Sequence, residues 1–344
     1  MKAKGPEAMT RILLAGMMLA AGYVGYFGYK TGGMDAPGAL DELLSGHGPA
    51  PDQYRVGVVW VAHWMTLLPH VSVPFALAAI DLVSGLVAGL LLVEVLRRSS
   101  VYAQAEATGR WLGCAALVVG VGWSMSWLMW LKRPETMAAG MLVVVMVWLL
   151  QEPGSENPDP GHPDSGRSER GGGTSLLLVG LSLALATVRA DVAVALNIGM
   201  LIVALRGGRF ARTRGLAAAT AVAGALIAGG LQLWLMRVVY PQADYGRVKM
   251  WQLVPNLIHA SRWPPFLLFL LPLGWMAVQV WRRRFAGDAV GLAVLVGAGI
   301  YMGLWVTMGK VDEVRIFLPL ALGLAPLTAQ MVMLRARESQ VADV

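Results

Sequence analysis

One cysteine, Cys114, stands among 344 residues. That excludes an internal disulfide framework and a thiolate-held metal cluster. Charge is scarce as well: Asp, Glu, Lys and Arg make up 14% of the chain, against about 25% in an ordinary soluble domain. No Walker A loop occurs, so an ATP motor within this chain is not expected. Neither an HExxH zinc motif nor a GxSxG nucleophile elbow is present. No apolar run carries a central lysine able to hold retinal. The inverted repeats and interrupted helices of many secondary transporters are not evident either.

What the chain has in abundance is apolar sequence: 56% of residues are hydrophobic, and the mean hydropathy is +0.59. Apolar runs recur from end to end, each long enough to cross a hydrocarbon core of about 30 Å. The expected fold is all-α: a polytopic transmembrane helical bundle of about ten spans, forming one integral membrane domain over 1–344. The formal charge of +7 fits basic cytoplasmic loops better than a nucleic-acid partner, and none is expected. The N-terminal "MKAKGPEAMTRILLAGMMLAAGYVGYFGY" has an apolar stretch longer than the usual core of a signal peptide. It reads as a retained first span.

The ten spans fall at about 10–29, 71–96, 110–131, 136–151, 174–188, 191–205, 215–236, 265–281, 289–308 and 316–334. Residues 30–70 form an outer loop with short amphipathic or interfacial helices, among them "VGVVWVAHWMTLL", where tryptophan suits the membrane interface. Residues 152–173 are rich in Pro, Gly and Ser and read as a disordered cytoplasmic loop. Lys and Arg cluster after every second span, which puts both termini in the cytoplasm.

That topology gathers the chemically interesting residues on the opposite face. "ALDELLSGH" places Asp41 and Glu42 on a short segment of the first loop, and Arg55 follows. Paired acids can act as a general base, or hold a divalent metal together with phosphate oxygens. Glu135 lies in the turn before the fourth span. Arg189 and Asp191 share a connection too short to leave the interface easily, so they are expected to face protein or a water-filled cavity. His259 is a possible proton-transfer group. The turn "GKVDEVRIF" carries Asp312, Glu313 and Arg315. Arg315 stands at the first turn of the last helix, where a cation opposes the helix dipole and calls for an anion. Charged turns are also, and commonly, solvated helix ends; the sequence leaves both readings open. Within the spans, Asp81 reads as protonated, paired or part of an ion path, and Asn197 as an interhelical hydrogen bond.

The order of these features is an inside N-terminus and first helix, an acidic first outer loop, an interfacial helix starting "QYRVGVVW", a "PET" turn after the third span, "RADVA" after the fifth, an outer loop containing Tyr-Pro and Asn, and "DEVRIFLPL" before the last helix. It resembles bacterial relatives of the GT-C-type membrane glycosyltransferases. The resemblance implies a helical bundle in a bacterial inner membrane with its active site on the outer face. It implies transfer of a sugar from a polyprenyl-phosphate donor to a cell-envelope acceptor. Asp41 or Glu42 would be base or metal ligand, and Arg55, Arg189 and Arg315 would hold the carrier phosphate. Glu135, Asp191, His259, Asp312 and Glu313 would complete the substrate site, with membrane lipids as the surroundings. Two other functions stay open: a transporter or flippase for a lipid-linked or anionic solute, and a non-catalytic membrane subunit of envelope assembly.

Overall fold

In a computed structural model, the structure describes residues 5–34, 38, 40–48, 52–127, 134–151, 167–206, 214–243, 251–283 and 289–342. Every regular element among them is helical. The helices are α1 (Pro6–Tyr29), α2 (Asp41–Leu44), α3 (Val56–Thr66), α4 (Val73–Arg97), α5 (Ser100–Gln104), α6 (Ala107–Ser126) and α7 (Pro134–Leu150). They continue with α8 (Arg167–Arg206), α9 (Arg214–Trp234), α10 (Leu253–Ile258), α11 (Trp263–Arg283), α12 (Ala289–Met308) and α13 (Leu318–Ala342).

Among the described residues, seven helices are long and apolar enough to cross a membrane, where the sequence suggests about ten. The difference has three sources. α7 has 17 residues, a little short for a ~20-residue span. α6 carries Arg110 and several Gly, Ser and Trp, which dilute its apolarity. α8 counts once although it folds back on itself. Arg189 breaks its helical backbone with φ −151° and ψ 82°. Asn197 Nδ2 then donates to Ser182 Oγ at 3.0 Å across 15 residues of sequence. Along a straight helix those residues would be roughly 22 Å apart. The chain therefore reverses at Arg189, and α8 is a hairpin of two antiparallel arms. The polar contact expected of Asn197 is this one, and Gly224 of α9 leaves the room for it.

The expected disordered loop 152–173 falls mostly outside the described residues. Residues 152–166 lie outside the described residues, but 167–173 are already helical. Extending an arm that is already nucleated costs little. Residues 128–133, at the end of the expected third span, and 207–213, within the arginine cluster, also lie outside them.

α13 is the central post, with 89% of its most apolar window buried. Leu318, Leu322, Ala325, Ala329 and Met333 repeat every three or four residues and pack into a core with α1, α4 and α6. Its other side, with Leu320, Leu324, Leu327 and Met331, packs into a larger core with α7, α8 and α12. The second arm of α8 crosses α12 closely. A Cβ on Gly199 would lie 2.2 Å from the Ala293 carbonyl oxygen, and one on Gly297 would lie 2.9 Å from that of Ala195. Small residues four apart on both helices let the backbones meet, as in membrane bundles generally.

Successive helices run up and down, so the connections sort onto two ends. One end is a rim of arginines. There Glu94 meets Arg97 at 3.0 Å and Arg98 at 3.3 Å. Arg98 also donates to the Trp148 and Gln151 carbonyls at the end of α7, a favourable place for a cation. The opposite end holds α2, α3, α10, the reversal at Arg189 and the turn 309–317.

Candidate functional site

The reversal in α8 builds the first part of the site. Asp191 opens the second arm and accepts from the Val192 N–H at 3.0 Å, where an anion suits the helix dipole. With only Ala190 between them, Arg189 folds onto this carboxylate: Nε donates to Oδ1 at 3.0 Å and Nη2 to Oδ2 at 2.7 Å. This is the forked pairing that a guanidinium favours. Tyr301, about two turns before the end of α12, closes the group. Its hydroxyl accepts from Arg189 Nη2 and donates to Asp191 Oδ2 at 2.9 Å. The Arg189 side chain is 1% exposed and that of Asp191 39%. A charge is thus sealed inside the bundle behind a carboxylate that reaches its surface.

The second part comes from the first loop and α7. Arg55 Nη1 donates to Asp52 at 2.9 Å and to Glu135 at 2.7 Å. Pro134 starts α7 and Glu135 lies in its first turn, the positions those residue types favour. The Glu135 charge acts on Arg189, and Arg55 acts on Asp191 and Tyr301. The two groups form one electrostatic unit of alternating sign. In it both Arg55 and Arg189 are already matched by carboxylates of this chain.

The third part is the turn 309–317. Gly309 is required there, because a Cβ would sit 2.0 Å from the Trp305 ring. Trp305 Nε1 donates to the Lys310 carbonyl at 2.7 Å, and its ring stacks on Tyr301 with centroids 6.2 Å apart. The fully buried Asn256 of α10 ties the turn from outside. Its amide donates to the carbonyls of Val306 at 3.0 Å and Gly309 at 2.7 Å. Arg315 lies in the 3₁₀ turn that leads into α13, 10% exposed at its side chain, and meets Glu313 at 3.6 Å. The anion required beside this cation is therefore at least in part Glu313. Asp312 is exposed.

Asp41 and Glu42 stand apart from these contacts. Both are exposed and form the first turn of α2. Their segment is still tied to the one bearing Arg55, since Gln53 donates to the Leu43 carbonyl at 2.8 Å and accepts from the Gly48 N–H at 2.6 Å. After α2 the chain turns through Gly46 at φ +86°, against Tyr240 and Gln242. Among the described residues no group of three or more His, Cys, Asp or Glu side chains could hold a metal ion. A divalent metal at Asp41 and Glu42 would draw its remaining ligands from substrate phosphate and water. His259 is exposed, its Nδ1 2.7 Å from the Pro255 carbonyl. Asp81, buried in α4, accepts from the Tyr29 hydroxyl at 2.6 Å.

The structure thus brings Arg55, Glu135, Arg189 and Asp191 into one unit, with Glu313 and Arg315 as a separate pair at the same end. Sequence reasoning missed Tyr301 and Trp305. The only available signal was a tyrosine in a span otherwise nearly free of hydrogen-bonding side chains, since a buried phenol needs a partner. Comparison of this chain with protein families, with characterised proteins and with solved structures finds no match.

Proposed function

We propose that this chain is a GT-C-like membrane glycosyltransferase that moves a sugar from a polyprenyl-phosphate donor to a cell-envelope acceptor at the outer face of a bacterial inner membrane. The observation that carries the reading is the gathering of Arg55, Arg189 and Arg315, all largely buried, at the same end of an apolar bundle as the exposed acids Asp41 and Glu42. A lipid-phosphate leaving group develops negative charge and needs cations there. All three arginines have carboxylate neighbours in this chain, and together they are the candidates to hold the carrier phosphate. Asp41 or Glu42 takes the acceptor proton, or holds a metal against the phosphate. A cytosolic nucleotide sugar would not reach this face, so the donor is lipid-linked.

The test is a membrane assay of the full chain carrying Asp41→Asn, Glu42→Gln or Arg315→Ala. Unused lipid-linked sugar should accumulate while each variant still inserts. Normal transfer by all three would end the assignment. The sidedness is tested by Glu313→Cys and Arg337→Cys in a Cys114→Ala background. A membrane-impermeant thiol reagent should label position 313, and not 337, on intact cells.

A second reading, a transporter for a lipid-linked or anionic solute, is favoured by Asp81, a carboxyl buried within a span. In that case Asp81→Asn would abolish solute movement, whereas a transferase would keep turning over.

A further inference from the structure

α10 is built inside out for a surface in water. Its Asn256 and the preceding Gln252, one helical turn apart, are buried. The Gln252 N–H, just before the helix, donates to the Thr307 carbonyl at 2.8 Å. Asn256 binds the carbonyls of Val306 and Gly309. On the other side Trp251 is 61% exposed, Val254 56%, Leu257 64% and Ile258 71%. The spacing of three and four residues puts these four on one face. A six-residue helix does not turn its amides inward and its large apolar side chains outward to meet water, because a contiguous apolar patch is unfavourable there.

We infer that α10 is an in-plane lipid anchor, its apolar face immersed in the outermost acyl region of the bilayer. Two observations choose lipid as the occupant. The next helix in the chain, Ala260–Val280, is apolar enough to cross the membrane and, past the polar turn at His259, Ser261 and Arg262, exposes Leu267, Leu268 and Leu271. The segment is also fastened to the bundle end by backbone-directed bonds, so it rides on the span ends at the depth where they leave the hydrocarbon. Interfacial helices of this kind bury their apolar face about 5–10 Å into the headgroup boundary. The Asn256 contacts then carry that depth to the turn 309–317 and hold Arg315 near the level of lipid phosphates. This last step bears on the proposed transferase; the anchor itself does not rest on it.

The experiment uses the full chain with Cys114→Ala, reconstituted into vesicles of phosphatidylethanolamine and phosphatidylglycerol. Single cysteines replace Leu257, Ile258 or Asp312, and each carries a small fluorophore. Quenching by a lipid-borne nitroxide should be several-fold stronger at 257 and 258 than at 312. Quenching by aqueous iodide should show the opposite order. Equal iodide quenching at all three sites would place α10 in water and overturn the anchor. Protection of 257 and 258 from both quenchers would mean that protein, a second copy or a partner, covers the face, and would overturn it too. The two positions test the same face, so one poorly folded variant leaves the result decisive. Absence of sugar transfer by the Cys114→Ala parent itself, with normal quenching, would overturn the transferase reading alone.

Discussion

The two ends of the bundle use arginine in opposite ways. At the rim, Arg11 and Arg97 have side chains 42% and 48% exposed, and share Glu94 with Arg98. At the other end, Arg189, Arg315 and Arg55 have side chains 1%, 10% and 17% exposed. A solvated arginine near a helix end needs no special explanation. A buried one does, because removing a charge from water costs several kcal/mol unless excellent geometry offsets it. Arg189 has that geometry, with a forked carboxylate and a phenol. The contrast separates charge that solvates a helix end from charge that the fold is organised around.

The sharpest way to break this comparison is Arg189→Met. It removes the buried cation, leaves Asp191 and Tyr301 facing each other, and should cost ~3–5 kcal/mol in reversible unfolding from mixed micelles. Arg189→Met with Asp191→Leu should recover much of that loss, since replacing a buried pair by apolar groups is often near neutral. If the single variant unfolds like the wild type, the buried pair is no more organising than the rim.

Asn256→Ala comes next. It leaves the Gly309 carbonyl, and the other groups that Asn256 meets, without their partner inside the protein. A lost bond to a buried acceptor costs about 1–3 kcal/mol. The same unfolding assay should show a loss in that range. A faster thiol reaction at Glu313→Cys would show that the turn had loosened rather than the whole bundle.

Much of the fold was legible because apolar runs of span length have few alternatives in a chain this poor in charge. The reversal at Arg189 was legible for a related reason: "VRADVA" sits between two apolar runs with no residues to spare for a loop. Arg55 and Glu135 were visible as charges, but not as partners, since 80 residues separate them. Tyr301 and Trp305 were hidden because an aromatic in an apolar span reads as packing, and its hydrogen bond exists only once α12 meets α8. Asp41 and Glu42 stood out as an acidic pair, yet nothing in their spacing showed that neither would join the buried unit.

The rim offers a pH-dependent contrast. Tyr102, on α5 outside the spans, donates to Glu7 at 2.5 Å. Burial first, then this bond, pushes its phenol well above the ordinary tyrosine range. The unfolded chain releases that proton near pH 10, while the folded chain keeps it. The stabilisation is therefore intact below about pH 10 and is lost as the pH rises beyond it. Thermal unfolding from about pH 9 to about pH 11 should fall more steeply for the wild type than for Tyr102→Phe. Parallel curves would remove Tyr102 from the account.

The smallest stability effects carry the most functional weight. Arg97→Ala removes an exposed ion pair and should change stability by no more than about 0.5 kcal/mol. Asp41→Asn and Glu42→Gln should fall in the same range, because surface changes away from packed features usually do. By stability alone, the first-loop acids and the rim arginine are then indistinguishable. Activity separates them: loss of sugar transfer in the acid variants, with Arg97→Ala unaffected, marks Asp41 or Glu42 as chemistry rather than solvation. If all three transfer normally, the exposed acids are a solvated turn like the rim, and neither Asp41 nor Glu42 is the base or metal ligand proposed.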